Sequence, residues 1–174
     1  MISRDNASPW PDVEDAAIVF VLDARDDFEA GLLRDWVESR RPPAAPGSRY
    51  SFVELPRRRV GEWLATLPKR HDALWLQPLR IAWLPAPDRR HDRPLLDFFH
   101  GRIAEPGRAR RRWLAKHRPE RLAWIVGDGA YLDEMRERQA KAAVEDDAFA
   151  EFVANQALIA LERSERIYRG ARYK

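Results

Sequence analysis

The order of apolar runs along the chain predicts an α/β protein. Three observations carry that expectation. Four short apolar runs rich in branched and aromatic residues read as strands. Stretches of helical period separate them. Proline or glycine stands at nearly every junction. The order β-α-β-α-β-(loop, α)-β-α-α predicts a small, mostly parallel four-stranded sheet flanked by helices, with a long C-terminal helix.

Residues 1–14 are polar and hold two prolines, which predicts a mobile arm ahead of a single α/β domain over 15–174. Ala16–Leu22 is a continuous apolar run of seven residues, the signature of a strand buried on both faces. Asp26 followed by Glu29 makes a capping-box-like helix start. Phe28, Leu32, Leu33, Trp36 and Val37 then recur at helical spacing, and Arg40-Arg41-Pro42-Pro43 ends the helix. Tyr50–Leu55 reads as a second strand, Val60–Leu67 as a short helix, and Pro78–Leu84 as a third strand closed by Pro85 and Pro87. Residues 85–106 are rich in Pro and Arg and predict mostly loop, with a helical turn near Leu95–Phe99. Arg108–Lys116 predicts a basic helix. Leu122–Val126 is the fourth strand, Gly127-Asp128-Gly129 a tight turn into a helix over 130–143, and a final helix runs from near Glu145–Asp147 to about Tyr168.

Composition narrows the function. The chain has 174 residues, of which 45% are hydrophobic, enough for a packed core. It has no cysteine, which excludes disulfide scaffolds, thiolate zinc sites and a cysteine nucleophile. The longest apolar run is far short of the roughly 20 residues a spanning helix needs. No apolar stretch follows the first residues, so no secretory leader is expected. The net charge of +3 hides a segregated pattern. Residues 1–56 carry net −5, residues 57–121 net +10, and residues 122–174 net −2. The middle segment either folds against the acidic flanks or presents a basic surface to phosphate, lipid head groups or nucleic acid.

The catalytic motifs of common enzyme classes are incomplete. Asp23 stands where a strand ends, but a phosphatase-like Asp-x-Asp pair would need a carboxylate where Arg25 stands, so Asp23 reads as a turn and helix cap. Gly127-Asp128-Gly129 lies between strand and helix, yet the third glycine of a dinucleotide fingerprint would fall at Leu132. His71-Asp72 and His91-Asp92 resemble the paired ligands of metal phosphohydrolases, which are helical bundles, whereas this chain shows strands. No Gly-x-Ser-x-Gly supports Ser-His-Asp chemistry. No catalytic residue, metal ligand or cofactor is therefore expected in this chain. Arg108 through Arg118 is the densest basic stretch. Arg108, Arg110, Arg111, Arg112, Trp113 and Lys116 are candidates for contact with a membrane or another anion, where each cation near an anionic surface contributes about 1 kcal/mol. The same composition suits nucleic acid.

Three segments together resemble a known family. They are Pro78-Leu79-Arg80-Ile81-Ala82-Trp83-Leu84-Pro85 with Ala86-Pro87-Asp88-Arg89; Pro94–Phe99 with the basic stretch after it; and the last helix through Arg166-Ile167-Tyr168-Arg169-Gly170-Ala171-Arg172-Tyr173-Lys174. In order and spacing, over about residues 77–174, they resemble the region preceding the catalytic domain of bacterial membrane-associated glycerol-3-phosphate acyltransferases. The resemblance implies an enzyme that transfers an acyl group from acyl-CoA or acyl carrier protein to the 1-hydroxyl of glycerol 3-phosphate in phospholipid biosynthesis. The family signature is His, four residues, then Asp, with the His as general base. The residues five positions after the four histidines are Leu76, Leu96, Glu105 and Leu122, so this chain lacks the motif. The resemblance thus implies an accessory or regulatory N-terminal domain, inactive alone, with the acyltransferase domain downstream. It implies a peripheral location on the cytoplasmic side of the cell membrane, partners in the downstream domain and an anionic membrane surface, and no nucleic acid. Other classes left open are a stand-alone basic binding module for nucleic acid or anionic lipid, and a small His-Asp phosphohydrolase.

Steps of about 100° per residue place Phe149, Phe152, Val153, Gln156, Ala160 and Ile167 on one face of the last helix. Leu158 falls almost opposite Phe149, and Leu161 lies toward the same side. The pair is expected to dock the acyltransferase domain.

Overall fold

The computed structural model describes residues 8–13, 16–43, 49–55, 73–84, 106–142 and 148–170. The expected helix at Val60–Leu67, the turn near Leu95–Phe99, and His71, His91 and His100 lie outside the described residues. Within the described residues the elements are β1 (Ala16–Asp23), α1 (Asp27–Ser39), β2 (Tyr50–Glu54), β3 (Ala73–Trp83), α2 (Arg108–His117), a 3-10 turn (Pro119–Arg121), β4 (Leu122–Val126), β5 (Ala130–Tyr131), α3 (Leu132–Lys141) and α4 (Phe149–Arg169). The sheet order is β2-β1-β3-β4, with β5 paired to β3. Two compact units share the chain: Met1–Arg80 with Ile125–Lys174, and Ile81–Trp124.

The α/β class and the long C-terminal helix are as the sequence predicts. The sheet is not: it has five strands and is mixed rather than four-stranded and mostly parallel. β1 pairs in parallel with both β2 and β3. β4 runs the other way. Leu84 donates its N–H to Arg121 O at 2.8 Å and Gly127 donates to Pro78 O at 2.9 Å, so the partners advance in opposite senses along the two strands. β5 continues antiparallel to β3, with Leu76 opposite Ala130 and Trp75 opposite Tyr131.

Between those two registers lies a bulge. From Pro78 to Leu76 β3 moves two residues, while its partner moves three, from Gly127 to Ala130. Gly127-Asp128-Gly129 is therefore a bulge within a continuing strand, not the strand-to-helix turn that the glycines suggested. Its cause is chemical. Pro78 lies inside β3, not at its start, and has no N–H to return to Gly127. The amide of Gln77 supplies the missing donor, its Nε2 reaching Gly127 O at 2.7 Å. Trp75 Nε1 donates to Gln77 Oε1 at 3.1 Å and holds that amide in place. Gly129 is required here because a Cβ would lie 2.5 Å from Trp75 Nε1.

α1 starts as the Asp26/Glu29 spacing predicts. Asp26 Oδ1 accepts from Glu29 N at 3.1 Å. Glu29 reaches back one residue further than a capping box requires: its Oε2 accepts from Arg25 N at 2.9 Å. That bond is the reason a glutamate sits buried at the helix start. In this unit the core is built from Val19, Phe20, Val21 and Leu22 of β1, Leu33 and Val37 of α1, Leu79 of β3, and Val153 and Leu161 of α4.

The part of the 1–14 arm that is described is held by Trp10. Its Nε1 donates to Val37 O at 2.9 Å, and its ring meets Phe20 and Tyr50 edge-on at 5.1 Å each.

α4 presents Phe149, Ala150, Val153, Ala154, Ala157 and Leu161 to the core. Three alanines make that face thin, so the helix backbone approaches the sheet closely. A Cβ on Gly127 would stand 3.3 Å from Leu161 N and 3.4 Å from Ala160 C. The buried face is rotated from the one centred on Phe149. Leu161 is wholly buried and Leu158 half-buried, while Ile159 and Ile167 face solvent. The expected docking pair is corrected accordingly, because Leu161 belongs to this chain's own core and presents nothing to a partner.

In the second unit, Ile81, Trp83, Leu114 and Ala123 are buried.

Candidate functional site

Two constellations stand out, one in each unit. The first is a chain of alternating charges. Asp23 ends β1, and the parallel register sets Arg80 of β3 directly beside it. Arg80 Nε donates to Asp23 Oδ2 at 2.6 Å, and Arg80 Nη1 donates to Glu165 Oε2 of α4 at 3.2 Å. The other oxygen of Glu165 accepts from Arg169 Nε at 2.8 Å. The side chains of Asp23 and Arg80 are each 17% exposed and that of Glu165 21%, so the pairs are largely shielded from water. Two carboxylates and two guanidinium groups leave the cluster neutral. Asp23 had read as a turn and helix cap, but the cap is Asp26. Only the register that places β3 beside β1 turns Asp23 toward an arginine 57 residues away. Arg80 and Glu165 carry no sequence motif. The signal that marks them is an ionisable residue inside an apolar strand and another near the end of an amphipathic helix.

The second constellation is α2. It has no acidic residue in its first turn, and Lys116 and His117 lie in its last, the favourable arrangement for a helix C-terminus. Arg111 and Leu114 point inward and are buried. Arg108, Arg110, Arg112, Trp113, Lys116 and His117 are exposed. Of the six residues expected to contact an anion, five are therefore on the surface. Arg111 is the correction: at 100° per residue it falls with Leu114 on the inner side. Sequence reasoning missed His117, whose ring lies against that of Trp113 with centroids 5.3 Å apart and planes tilted by 35°. A spacing of four on a helix is the signal that could have found it.

Among the described residues no group of three or more His, Asp or Glu side chains could hold a metal ion. Among them, too, no helix is long and apolar enough to cross a membrane. No protein-family model matches the chain, and no solved structure matches it.

Proposed function

We propose that this chain is the N-terminal accessory domain of a membrane-associated glycerol-3-phosphate 1-O-acyltransferase. In this reading it performs no chemistry itself. It holds and positions an acyltransferase domain that follows Lys174, supplies the His-x4-Asp general base, and takes its acyl group from acyl-CoA or acyl carrier protein. The observation that carries the reading is the meeting of two resembling segments. Arg80 lies in the first, Glu165 lies in the last helix that opens the third, and the two side chains pair at 3.2 Å across 85 residues of sequence. Arg169 in the third segment extends the same network. In this reading the contact lets the sheet grip the helix that leads toward the next domain.

The test is acyl transfer to labelled glycerol 3-phosphate by the full natural polypeptide and by residues 1–174 alone. The full polypeptide transfers acyl groups, residues 1–174 do not, and removing these residues from the full polypeptide lowers its activity. A natural gene product with no His-x4-Asp beyond Lys174, or one that leaves glycerol 3-phosphate unacylated, overturns the reading.

A further inference from the structure

We propose that the outer face of α4, centred on Ile159, binds the same face of a second copy of this chain, the two helices running antiparallel about a two-fold axis. The inference stands on α4 alone and does not depend on the acyltransferase reading.

The face follows from helix geometry. α4 has 21 residues and is about 31 Å long. Its inner side is committed to the core through Val153, Ala157 and Leu161. Steps of 100° per residue place the exposed side chains within about 80° of Ile159 on either side. Glu151, Asn155, Glu162 and Arg166 lie on one flank, all exposed. Arg163 and Ile167, exposed, lie on the other with the half-buried Phe152 and Gln156. Ile159 is 56% exposed and Ile167 72%, two of the three large hydrophobic side chains among the described residues that reach solvent to this degree. Among the described residues, no ion pair within the chain engages Glu151, Glu162, Arg163 or Arg166.

The order of these residues is self-complementary. A two-fold axis at the level of Ile159, perpendicular to both helices, exchanges the ends of the helix and keeps each flank on its own side. Ile159 then meets Ile159 of the second copy. On the first flank Glu151 comes level with the second copy's Arg166, and Asn155 with its Glu162, each to within one residue, about 1.5 Å. On the other flank Phe152 comes level with Ile167, and Gln156 with Arg163. Acid meets base and apolar meets apolar. Asn155 can donate its amide N–H to the carboxylate, and Gln156 can accept from the guanidinium through its carbonyl. A parallel pair would instead set Arg166 against its own copy, and like charges in contact oppose association. The arc carries two carboxylates and two guanidinium groups. It therefore has no net charge to hold a polyanion, and a partner with the same alternation suits it better than a nucleic acid or an anionic bilayer.

The experiment is sedimentation velocity of the 174-residue chain over a concentration series. One helix against one helix is a small interface, so dimers form at roughly 10–100 μM. Ile159→Ser weakens dimerisation about 100-fold or more, because two isoleucines leave the contact. Glu151→Arg and Arg166→Glu each weaken it about ten-fold, since each change turns two attractions into repulsions. Combined in one chain they restore it, because the exchange rebuilds both ion pairs. Glu137→Arg, the same charge change on α3, leaves dimerisation as it was. All the altered side chains are exposed, and circular dichroism verifies that the variants fold. A chain still monomeric at about 1 mM, a dimer insensitive to Ile159, or a charge exchange that fails to restore the dimer each overturns the proposal.

Discussion

Tyr50 is a case of one side chain read by all its neighbours. Its hydroxyl donates to Glu38 Oε1 at 2.6 Å, Arg41 lies over its ring at 5.2 Å, and Trp10, Phe20 and Phe52 surround it. The hydrogen bond to Glu38 raises the phenol above its ordinary value of 10.0, with burial and the Glu38 charge adding to the rise and Arg41 opposing it. The folded protein thus holds this proton more tightly than the unfolded chain. The stability it brings is complete below pH 10 and is lost as pH rises through the folded value. In an absorbance titration of tyrosinate, one tyrosine ionises late, and Tyr50→Phe removes that step and flattens the alkaline decline in melting temperature. Gln77 offers a second test. Gln77→Leu keeps the volume but leaves the carbonyl of Gly127 without the amide that stands in for the missing N–H of Pro78. An orphaned buried carbonyl costs about 1–3 kcal/mol, measured as a fall in unfolding free energy in urea.

At the scale of elements, the charge network decides how α4 is tied to the sheet. Its pairs are neither fully exposed nor fully buried, so each is worth more than the 0–1 kcal/mol of a typical surface pair and less than about 3–5 kcal/mol for breaking a buried one. Arg80→Met leaves both Asp23 and Glu165 without this partner and destabilises the chain by about 1–3 kcal/mol. Combining Arg80→Met with Asp23→Asn and Glu165→Gln recovers part of that loss, because no uncompensated carboxylate remains. Denaturant melts of the single and triple variants check this. If the single variant is as stable as the parent, the network contributes nothing to the attachment of α4.

Across the whole molecule, α4 is a core element before it is anything else. Leu161 is fully enclosed, and Gly127 lets the helix backbone approach β3 and the bulge. Leu161→Ala lowers stability by about 2–5 kcal/mol through lost contact and the cavity left behind. Leu161→Glu costs more, because a buried unpaired carboxylate is added to the lost packing, and circular dichroism shows the chain largely unfolded. Leu158→Glu at its half-buried position is milder. Equal stability of the Leu161→Glu chain and its parent would place that side chain outside the core.

Local chemistry was legible in the sequence where a residue and its consequence lie within a few positions. The apolar run of β1, the Asp26/Glu29 helix start, the β4 run and the cationic outer face of α2 all follow from side chains acting on their own neighbourhood. The antiparallel direction of β4, the bulge, and the meeting of Asp23, Arg80 and Glu165 depend on which strands pair and in what register. Pro78 shows the reason: read along the chain it looks like the start of a strand. In the sheet it is an interior residue whose missing N–H is replaced by the amide of the residue before it. The same holds for α4. Its amphipathic period was plain, but its rotation was set by the alanines that fit against the sheet, and that rotation carried Leu161 inward. Sequence by itself determined the longer described elements and their charges, but not β5 or the start of β3; the tertiary structure alone decided direction, register and facing, because these are fixed by contacts between residues far apart in the chain.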